Sequence, residues 1–269
     1  MTEQRLTRQQ AADATEASTP VFTVDGGRGT IRLNRPKHLN RVQPEDLQAL
    51  LAICDKVEAD RSIRVLVVTG TGRSFSAGYA LNSVADRASA DSEQTAGSAF
   101  EVMVDRLENL GVPTICRLNG GIYGGSTDLA LACDFRIGID TAEMVMPAAR
   151  LGVHYYKSGI RRYVSRLGAD NAKKLFLTAQ KIEATEMLRI GYLTSMVPPE
   201  ALDEEVDRLA GILAGNAPIA MRGMKRTINE IARGKLDEAA ADRRAIESMR
   251  STEISEGVRA FAEKRPPKF

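Results

Sequence analysis

Hydrophobic and polar positions change their spacing several times along this chain, and each spacing predicts an element. Two short β-prone runs flank a Gly-rich turn in "VFTVDGGRGTIRLN" (21–34), which is the pattern of a hairpin. In "PEDLQALLAICDKVEAD" (44–60) apolar residues recur at helical spacing, and Pro44 followed by two acids suits a helix start. The continuous β-branched run "IRVLVVTG" (63–70) predicts a strand that is buried on both faces.

Strand-like and helix-like segments continue to alternate through the first two thirds of the chain. A polar stretch at 84–97 leads into a helix predicted to end near Gly111, and "TICRLNG" (114–120) and "DFRIGI" (134–139) predict further strands. From about residue 157 onward the pattern is almost entirely helical. The order of elements therefore predicts an α/β fold of strand–strand–helix units with a helical C-terminal region.

Composition narrows the possible classes of protein. Among 269 residues, Lys plus Arg number 37 and Asp plus Glu 35, so the net charge of +2 argues against a dedicated nucleic-acid surface. No apolar run could span a bilayer, and the polar N-terminus reads as a flexible arm over 1–19, without a secretory signal. Cys54, Cys116 and Cys133 each lie in an apolar run, which predicts buried, reduced thiols. We therefore expect a cytoplasmic protein without nucleic-acid or membrane partners.

The segment "NGGIYGGSTDLALACDF" (119–135) places glycines directly before an apolar helix. The first N–H groups of a helix lack intrahelical partners, and glycine lets a ligand oxygen approach them. The pattern G-x-S-x-G of a nucleophile elbow fails at Asp128, so a nucleophilic Ser126 is not expected, and Ser126 or Thr127 is better explained as a helix cap. Two other glycine loops, 26–29 and 70–72, do not continue as G-x-G-x-x-G. The residues alone leave open an oxyanion hole and a tight structural turn.

Two segments together resemble the signature motifs of the crotonase (enoyl-CoA hydratase/isomerase) superfamily. They are "SFSAGYAL" (74–81) and, some forty residues later, "NGGIYGGSTDLALACDFRI". The turn "LNRPKHLN" (33–40) is similar to an early CoA-contacting turn of that family. The segments "LFLTAQKIEATEMLRIGYLTSMVP" (175–198) and "EGVRAFAEKRPPKF" (256–269) resemble its later helical parts. The likeness covers the chain from about residue 20 to its end.

The resemblance implies a fold, an assembly and a class of substrate. We expect a crotonase-like spiral of strand–strand–helix units over 20–200 and a helical C-terminal trimerisation region over 201–269, in a homotrimer or homohexamer. The substrates implied are acyl-CoA thioesters of fatty acid metabolism, held in a bent pose. No metal cluster or flavin motif appears in the sequence, so we expect no cofactor beyond the CoA of the substrate.

The resemblance also implies a set of site residues. The backbone N–H groups of Tyr79 and Gly125 would hold the thioester oxygen and stabilise the negative charge of an enolate or oxyanion. The residues expected along CoA are Lys37, His38 and Leu39, then Ala77, Ala80 and Leu81 near the adenine, and finally Lys264 and Lys268 near the phosphates.

The chain departs from the family at the acid–base pair. Hydratases of the family use two glutamates to activate one water, and these positions fall on Asp128 and Ala148. The shorter aspartate retracts the carboxylate by roughly 1.5 Å, and a displacement of about 1 Å can cost a factor on the order of a hundred in rate. Alanine carries no proton. The usual two-carboxylate hydration is therefore not expected.

The segment "LGVHYYKSG" (151–159) follows Ala148 where hydratases have a small turn. His154 could act as an acid or base near neutral pH, or these side chains could simply fill the pocket. The segment also resembles the methylmalonyl-CoA decarboxylase branch, in which a tyrosine at the position of Tyr155 orients a carboxylate for loss as carbon dioxide. An anionic Asp128 would oppose such a negatively charged substrate.

Three hypotheses follow. The first is an enoyl-CoA hydratase/isomerase-like lyase whose catalytic residues are Tyr79, Gly125, Asp128, His154 and Tyr155. The second is a decarboxylase of malonyl-type CoA esters that uses the same oxyanion hole. The third is an acyl-CoA-binding protein without catalysis, in which Asp128 is structural.

Overall fold

Two sheets organise the chain in the computed structural model, which describes residues 18–80 and 99–269. The strands described are β1 (Val21–Asp25), β2 (Arg28–Leu33), β3 (Val65–Gly70), β4 (Ser74–Ser76), β5 (Thr114–Leu118), β6 (Gly121–Tyr123), β7 (Phe135–Ile139), β8 (Glu143–Val145), β9 (Ile182–Glu183) and β10 (Ser195–Val197). The predicted hairpin at 21–34 is formed by β1 and β2. The predicted arm at 1–19 falls almost entirely outside the described residues.

Helices cover the sheets and make up most of the C-terminal part. They are α1 (Pro44–Ala59), α2 (Ala99–Glu108), α3 (Gly125–Leu131), α4 (Lys157–Leu167), α5 (Ala169–Thr178), α6 (Ala184–Arg189), α7 (Leu202–Ala214), α8 (Pro218–Ala232), α9 (Glu238–Arg250) and α10 (Thr252–Ala262). Short 3-10 turns lie at Pro36–His38, Ala148–Leu151 and Pro199–Ala201. None of the described helices is both long and apolar enough to cross a membrane.

The two sheets are built by a repeated unit. The larger sheet has the order β1-β2-β3-β5-β7-β10 and is parallel apart from β1, whereas the smaller has the order β4-β6-β8-β9 and is parallel apart from β9. In three successive units, β3–β4–α2, β5–β6–α3 and β7–β8–α4, the first strand joins the larger sheet and the second joins the smaller. The predicted α/β fold of strand–strand–helix units is confirmed.

Strand β3 shows why a continuous apolar run was a reliable signal. All six of its residues are buried. Because side chains alternate across a strand, Leu66 and Val68 pack into the core between the sheets. Val65 and Val67 pack on the opposite face against α7. The strand is thus buried on both faces, as predicted.

Helix α1 is tied to the turn that precedes it. It begins at Pro44, as predicted, and Asp46 Oδ2 accepts the backbone N–H of Gln43 at 2.8 Å. The guanidinium of Arg35 donates to both oxygens of Asp46, at 3.0 and 3.1 Å. This pair fixes the Pro36–His38 turn against the start of the helix. The contact of this turn with CoA stays a prediction from the resemblance.

The three cysteines are free and buried, as predicted. Burial raises the pKa of Cys54 to about 12, so its thiol is protonated at neutral pH. Thiolate is the reactive form of cysteine, and Cys54 is therefore chemically inert in the folded protein.

The crossing from β5 to β6 depends on a residue without a side chain. A Cβ on Gly120 would lie 2.0 Å from the carbonyl oxygen of Arg73. We expect Gly120→Ala to lower the free energy of unfolding by about 2 kcal/mol or more, because the backbone must shift. Gly211→Ala is the control: this exposed site in α7 has no heavy atom within 4 Å of the new Cβ and should gain about 0.5–1 kcal/mol. Urea denaturation measures both, and equal stability of the two variants would contradict the packing described.

Candidate functional site

Two backbone segments meet at the predicted oxyanion hole. Gly78 precedes Tyr79 with φ +97°, and Gly124 precedes Gly125 with φ +54°, in a region that other residues rarely adopt. A Cβ on Gly78 would lie 3.5 Å from the Cα of Gly124. A Cβ on Gly125 would lie 3.5 Å from the Cβ of Tyr79. Tyr79 and Gly125, far apart in sequence, are therefore neighbours.

Hydrogen bonds hold the two segments. The Val42 N–H donates to the Gly78 carbonyl at 2.9 Å, and the Gly124 N–H donates to the Val145 carbonyl at 2.9 Å. The predicted capping role of Ser126 or Thr127 is wrong, because the N-cap is Gly124 and has no side-chain cap. The buried Ser126 hydroxyl donates instead to Ser76 Oγ at 2.5 Å, so it joins the two segments of the hole.

The predicted CoA-contacting residues lie in two places: the segments around Leu39 and Ala77, and the segment after α10. The carbonyl of Leu39 accepts the N–H of Ala77 at 2.7 Å, so these two segments are in contact. Lys37 and His38 are exposed on the adjoining 3-10 turn, and Ala80 is buried. Lys264 and Lys268 are exposed beyond α10, and Leu81 lies outside the described residues. Their contacts with CoA stay predictions.

Asp128 lies in the first turn of α3 and is completely buried. Its Oδ2 accepts a hydrogen bond from Arg162 Nη1 at 2.6 Å and another from the Tyr156 hydroxyl. Its Oδ1 has no partner within the described part of the chain. Burial raises the pKa of Asp128, and Arg162 and Tyr156 act against that rise because both stabilise the anion. The carboxylate is thus already engaged by two donors.

The guanidinium of Arg162 is the centre of a buried charge cluster. It is 1% exposed and meets the carboxylates of Asp105, Glu108 and Asp128 at 2.5, 3.0 and 2.6 Å. Burial acts to lower the pKa of Arg162, but Asp128 and Glu108 outweigh it and hold the pKa well above the usual value. Arg162 is therefore a permanent cation that ties α2, α3 and α4 together.

Glu108 extends the cluster toward the C-terminal helices. It also meets Arg166 at 3.2 Å and Arg233, just beyond α8, at 2.5 Å. Burial would raise the pKa of Glu108, but the charges of Arg162, Arg166 and Arg233 lower it to about 2. Three arginines and three carboxylates thus balance one another around the candidate site.

Aromatic rings line the space between Asp128 and the predicted oxyanion hole. The Tyr155 hydroxyl donates to the Tyr156 hydroxyl at 3.2 Å, and the two rings stack with centroids 4.3 Å apart. Tyr156 meets Phe100 edge-on at 6.3 Å, and Phe100 packs against Tyr79 at 5.2 Å. Burial raises the pKa of Tyr155 and of Tyr156 well above 10, and the charge of Asp128 adds to both rises. Both phenols are therefore protonated at neutral pH.

His154 is not placed with this group. It is exposed, and its Nδ1 lies 2.8 Å from the backbone oxygen of Tyr155. The residue that contacts Asp128 from this segment is Tyr156, which the sequence-based catalytic set omitted. Ala148 is buried at the start of its 3-10 turn, where its carbonyl accepts the Val153 N–H at 3.0 Å.

Arg162 was also missed, although a signal for it exists. In "KSGIRRYVSRL" the buried residues Ser158, Gly159, Arg162 and Tyr163 recur at helical spacing, so Arg162 lies on the apolar face. A charged residue on such a face is rarely buried unless it is paired.

No group of three potential metal ligands occurs among residues 18–80 and 99–269.

Comparison with known proteins identifies the family that this chain matches. The family described as enoyl-CoA hydratase/isomerase matches residues 25–269. A short-chain-enoyl-CoA hydratase of Clostridium acetobutylicum is 30% identical over 253 residues, which cover 93% of this chain and 97% of that protein. A crotonyl-CoA hydratase of Syntrophomonas wolfei is 32% identical over 241 residues, covering 88% and 92%. The solved structure of an enoyl-CoA hydratase from Bacillus anthracis has a TM-score of 0.83 at 29% identity, covering 94% and 99%. The resemblance found in the sequence motifs is confirmed.

Removing Arg162 should destabilise the fold, because the buried carboxylates would lose their counter-charge. We expect Arg162→Met to lower the free energy of unfolding by about 3–5 kcal/mol, because Asp128 and Glu108 lose their shared cation. The matched control is Arg161→Met on the same helix, since Arg161 forms no ion pair with any described residue; its effect should stay within about 0.5 kcal/mol. Chemical denaturation measures both. Similar losses in the two variants would refute the structural role of Arg162.

The lowered pKa of Glu108 predicts that the protein loses stability in acid. Its folded pKa of about 2 is below its ordinary value of 4.5, so its contribution is complete above pH 4.5 and is lost as the pH falls toward 2. The contribution is about 3 kcal/mol. Urea denaturation at several pH values should show the wild type losing this much more stability than Glu108→Gln across that window. Parallel curves for the two proteins would contradict the assignment.

Proposed function

The chain belongs to the enoyl-CoA hydratase/isomerase family, and we propose that it transforms acyl-CoA thioesters through a thioester enolate. The observation that carries this proposal is the approach of Tyr79 to Gly125 across two separate strand–strand–helix units. Two backbone N–H groups brought together in this way can stabilise the oxygen on which negative charge develops.

We further propose that the enzyme does not use the two-carboxylate mechanism of hydration. That mechanism needs two carboxylates able to share one water, but Asp128 is held by Arg162 and Tyr156, and Ala148 has no acidic group. The chain of hydroxyls from Tyr155 through Tyr156 to Asp128 is the alternative route for a proton. Hydration or isomerisation by this family member would then depend on phenols.

Decarboxylation of malonyl-type CoA esters is a second candidate, and the Arg162 contact favours it. The objection that Asp128 would repel a carboxylate substrate weakens, because Arg162 offsets the aspartate charge at 2.6 Å. In this reaction the electron pair of the breaking C–C bond forms the enolate, and carbon dioxide leaves. No base is needed, and the protonated phenols of Tyr155 and Tyr156 can donate a proton to the enolate.

Assembly and location belong to the same proposal. A homotrimer or homohexamer is supported by large apolar side chains that are exposed on α8, α9 and α10, among them Met224, Ile228, Met249, Val258 and Phe261, the last 88% exposed. A cytoplasmic location and the lack of a cofactor beyond CoA stay predictions.

A mixed pool of thioesters distinguishes the candidates. Purified protein is incubated with crotonyl-CoA, malonyl-CoA and methylmalonyl-CoA, and the products are identified by mass spectrometry. We expect turnover of at least one thioester. Gain of water would support the hydratase hypothesis, and loss of carbon dioxide would support the decarboxylase hypothesis. If all three return unchanged while a CoA thioester still binds in calorimetry, the non-catalytic acyl-CoA-binding hypothesis replaces both.

The oxyanion hole can be tested with one backbone donor. Gly125→Pro removes the N–H at the first position of α3, where proline is tolerated in helices. We expect kcat to fall by roughly a hundredfold or more. Gly125→Ala is the matched control, because it adds the same Cβ, 3.0 Å from Phe100 Cζ, and keeps the N–H. Equal activity in the two variants would remove Gly125 from the hole.

A further inference from the structure

Tyr156 occupies the position between the charge cluster and the predicted oxyanion hole. On one side its hydroxyl donates to Asp128 Oδ2. On the other side its ring meets Phe100, whose Cζ is 3.0 Å from the Cβ position of Gly125. Tyr156 is therefore separated from Gly125 by one aromatic ring and from Asp128 by one hydrogen bond.

The other buried tyrosines are less well placed. The Tyr155 hydroxyl reaches Asp128 only through Tyr156, and its ring packs on Phe176 at 5.3 Å. The hydroxyl of Tyr163 donates to Thr127 Oγ1 at 2.5 Å, and that of Tyr192 donates to the Thr127 carbonyl at 2.7 Å. Neither contacts the Asp128 carboxylate. Of these four tyrosines, only Tyr156 donates its hydroxyl to the Asp128 carboxylate.

Asp128 itself is poorly suited to act directly. Its Oδ2 already accepts from Arg162 and Tyr156. Arg162 cannot easily follow a moving carboxylate, because Asp105 and Glu108 hold it from two further directions. The carboxylate is therefore fixed, and its hydrogen bond positions the Tyr156 oxygen in turn.

The packing around Gly159 shows that this arrangement has little room to vary. A Cβ on Gly159 would lie 2.5 Å from Tyr155 Cε1, 2.8 Å from Tyr156 Cε2 and 2.9 Å from Asp128 Oδ2. Any side chain at this position would separate the rings from the carboxylate. The close approach of Tyr156 to Asp128 thus depends on the glycine.

We propose that Tyr156 is the catalytic residue that protonates the α-carbon of the thioester enolate, with Asp128 and Arg162 as the positioning residues. The proposal rests on the proposed function. The Tyr156 O–H turns about its C–O bond from Asp128 Oδ2 to the enolate and breaks. The enolate electron pair forms the new C–H bond, and the thioester carbonyl is restored. The phenolate then regains a proton from water through the Tyr155 hydroxyl. Hydration and decarboxylation both end in this protonation.

The charges nearby agree with a donor role. Burial raises the pKa of Tyr156 well above 10, and the negative charge of Asp128 adds to the rise. The phenol therefore holds its proton until an enolate, which is a much stronger base than a phenolate, forms beside it. Arg162 places a positive charge beside Asp128, which favours transient negative charge on Tyr156.

Deuterium labelling tests the assignment. Crotonyl-CoA and methylmalonyl-CoA are each incubated with the protein in D2O, and deuterium at the α-carbon of the product is located by NMR. For the thioester that is turned over, the wild type should place deuterium on one face. Tyr156→Phe should lower turnover by a hundredfold or more and give residual product labelled on both faces, with CoA thioester binding unchanged. Tyr163→Phe, the control, should keep both the rate and the single face.

Asp128→Asn provides an independent variant, because an amide oxygen can still accept the Tyr156 hydroxyl. We expect a lower rate with deuterium still on one face. The proposal is overturned if Tyr156→Phe keeps single-face labelling, whatever the labelling in Asp128→Asn. If the wild type converts neither thioester, the proposed function fails and this inference fails with it; turnover by the wild type separates the two failures.

Discussion

The ion pair between Arg162 and Asp128 is the interaction on which the rest of the site depends. Removing both groups from water is costly, and the cost is offset only because Asp105 and Glu108 also contact the guanidinium. These residues come from α2, α3 and α4, so the cluster fixes the three helices of successive repeat units relative to one another. Arg233 adds the end of α8 through Glu108. Neither helix α3 nor the carboxylate that it carries can move independently.

This constraint bears on the proposed chemistry. The resemblance predicts that Asp128 and Ala148 stand at the positions of the two glutamates of hydratases; in the structure Asp128 is held in the cluster, and Ala148 carries no acid. Tyr156 takes the remaining position beside Asp128, and a phenol supplies a proton more readily than it removes one. Gly78 and Gly124 adopt conformations that bring Tyr79 to Gly125, where the resemblance predicts the oxyanion hole. Under the proposed function, this arrangement suits reactions that need a stabilised enolate and a proton donor.

Local patterns predicted the fold well and mark Arg162 as a charge on a buried helix face, but they do not specify its partners in the charge cluster. Helix α1 and strand β3 followed from spacing alone, because burial of an apolar face is decided within a few residues of sequence. The contacts of Arg162 join positions 34 to 57 residues apart, and no local pattern specifies them. His154 was favoured for its ordinary titration range and is exposed, while its neighbour Tyr156 meets Asp128. Burial, which single positions do not reveal, decides between the two.

The most direct test of this account is a crystal structure of the protein with a non-reactive acyl-CoA thioether or ketone analogue. With the ketone analogue, we expect the carbonyl oxygen within hydrogen-bond distance of the backbone nitrogens of Tyr79 and Gly125. The hydroxyl of Tyr156 should be the protic group nearest the α-carbon, with the Arg162–Asp128 contact intact. An analogue carbonyl bound elsewhere, or Asp128 released from Arg162 and nearer to the α-carbon than Tyr156, would contradict it.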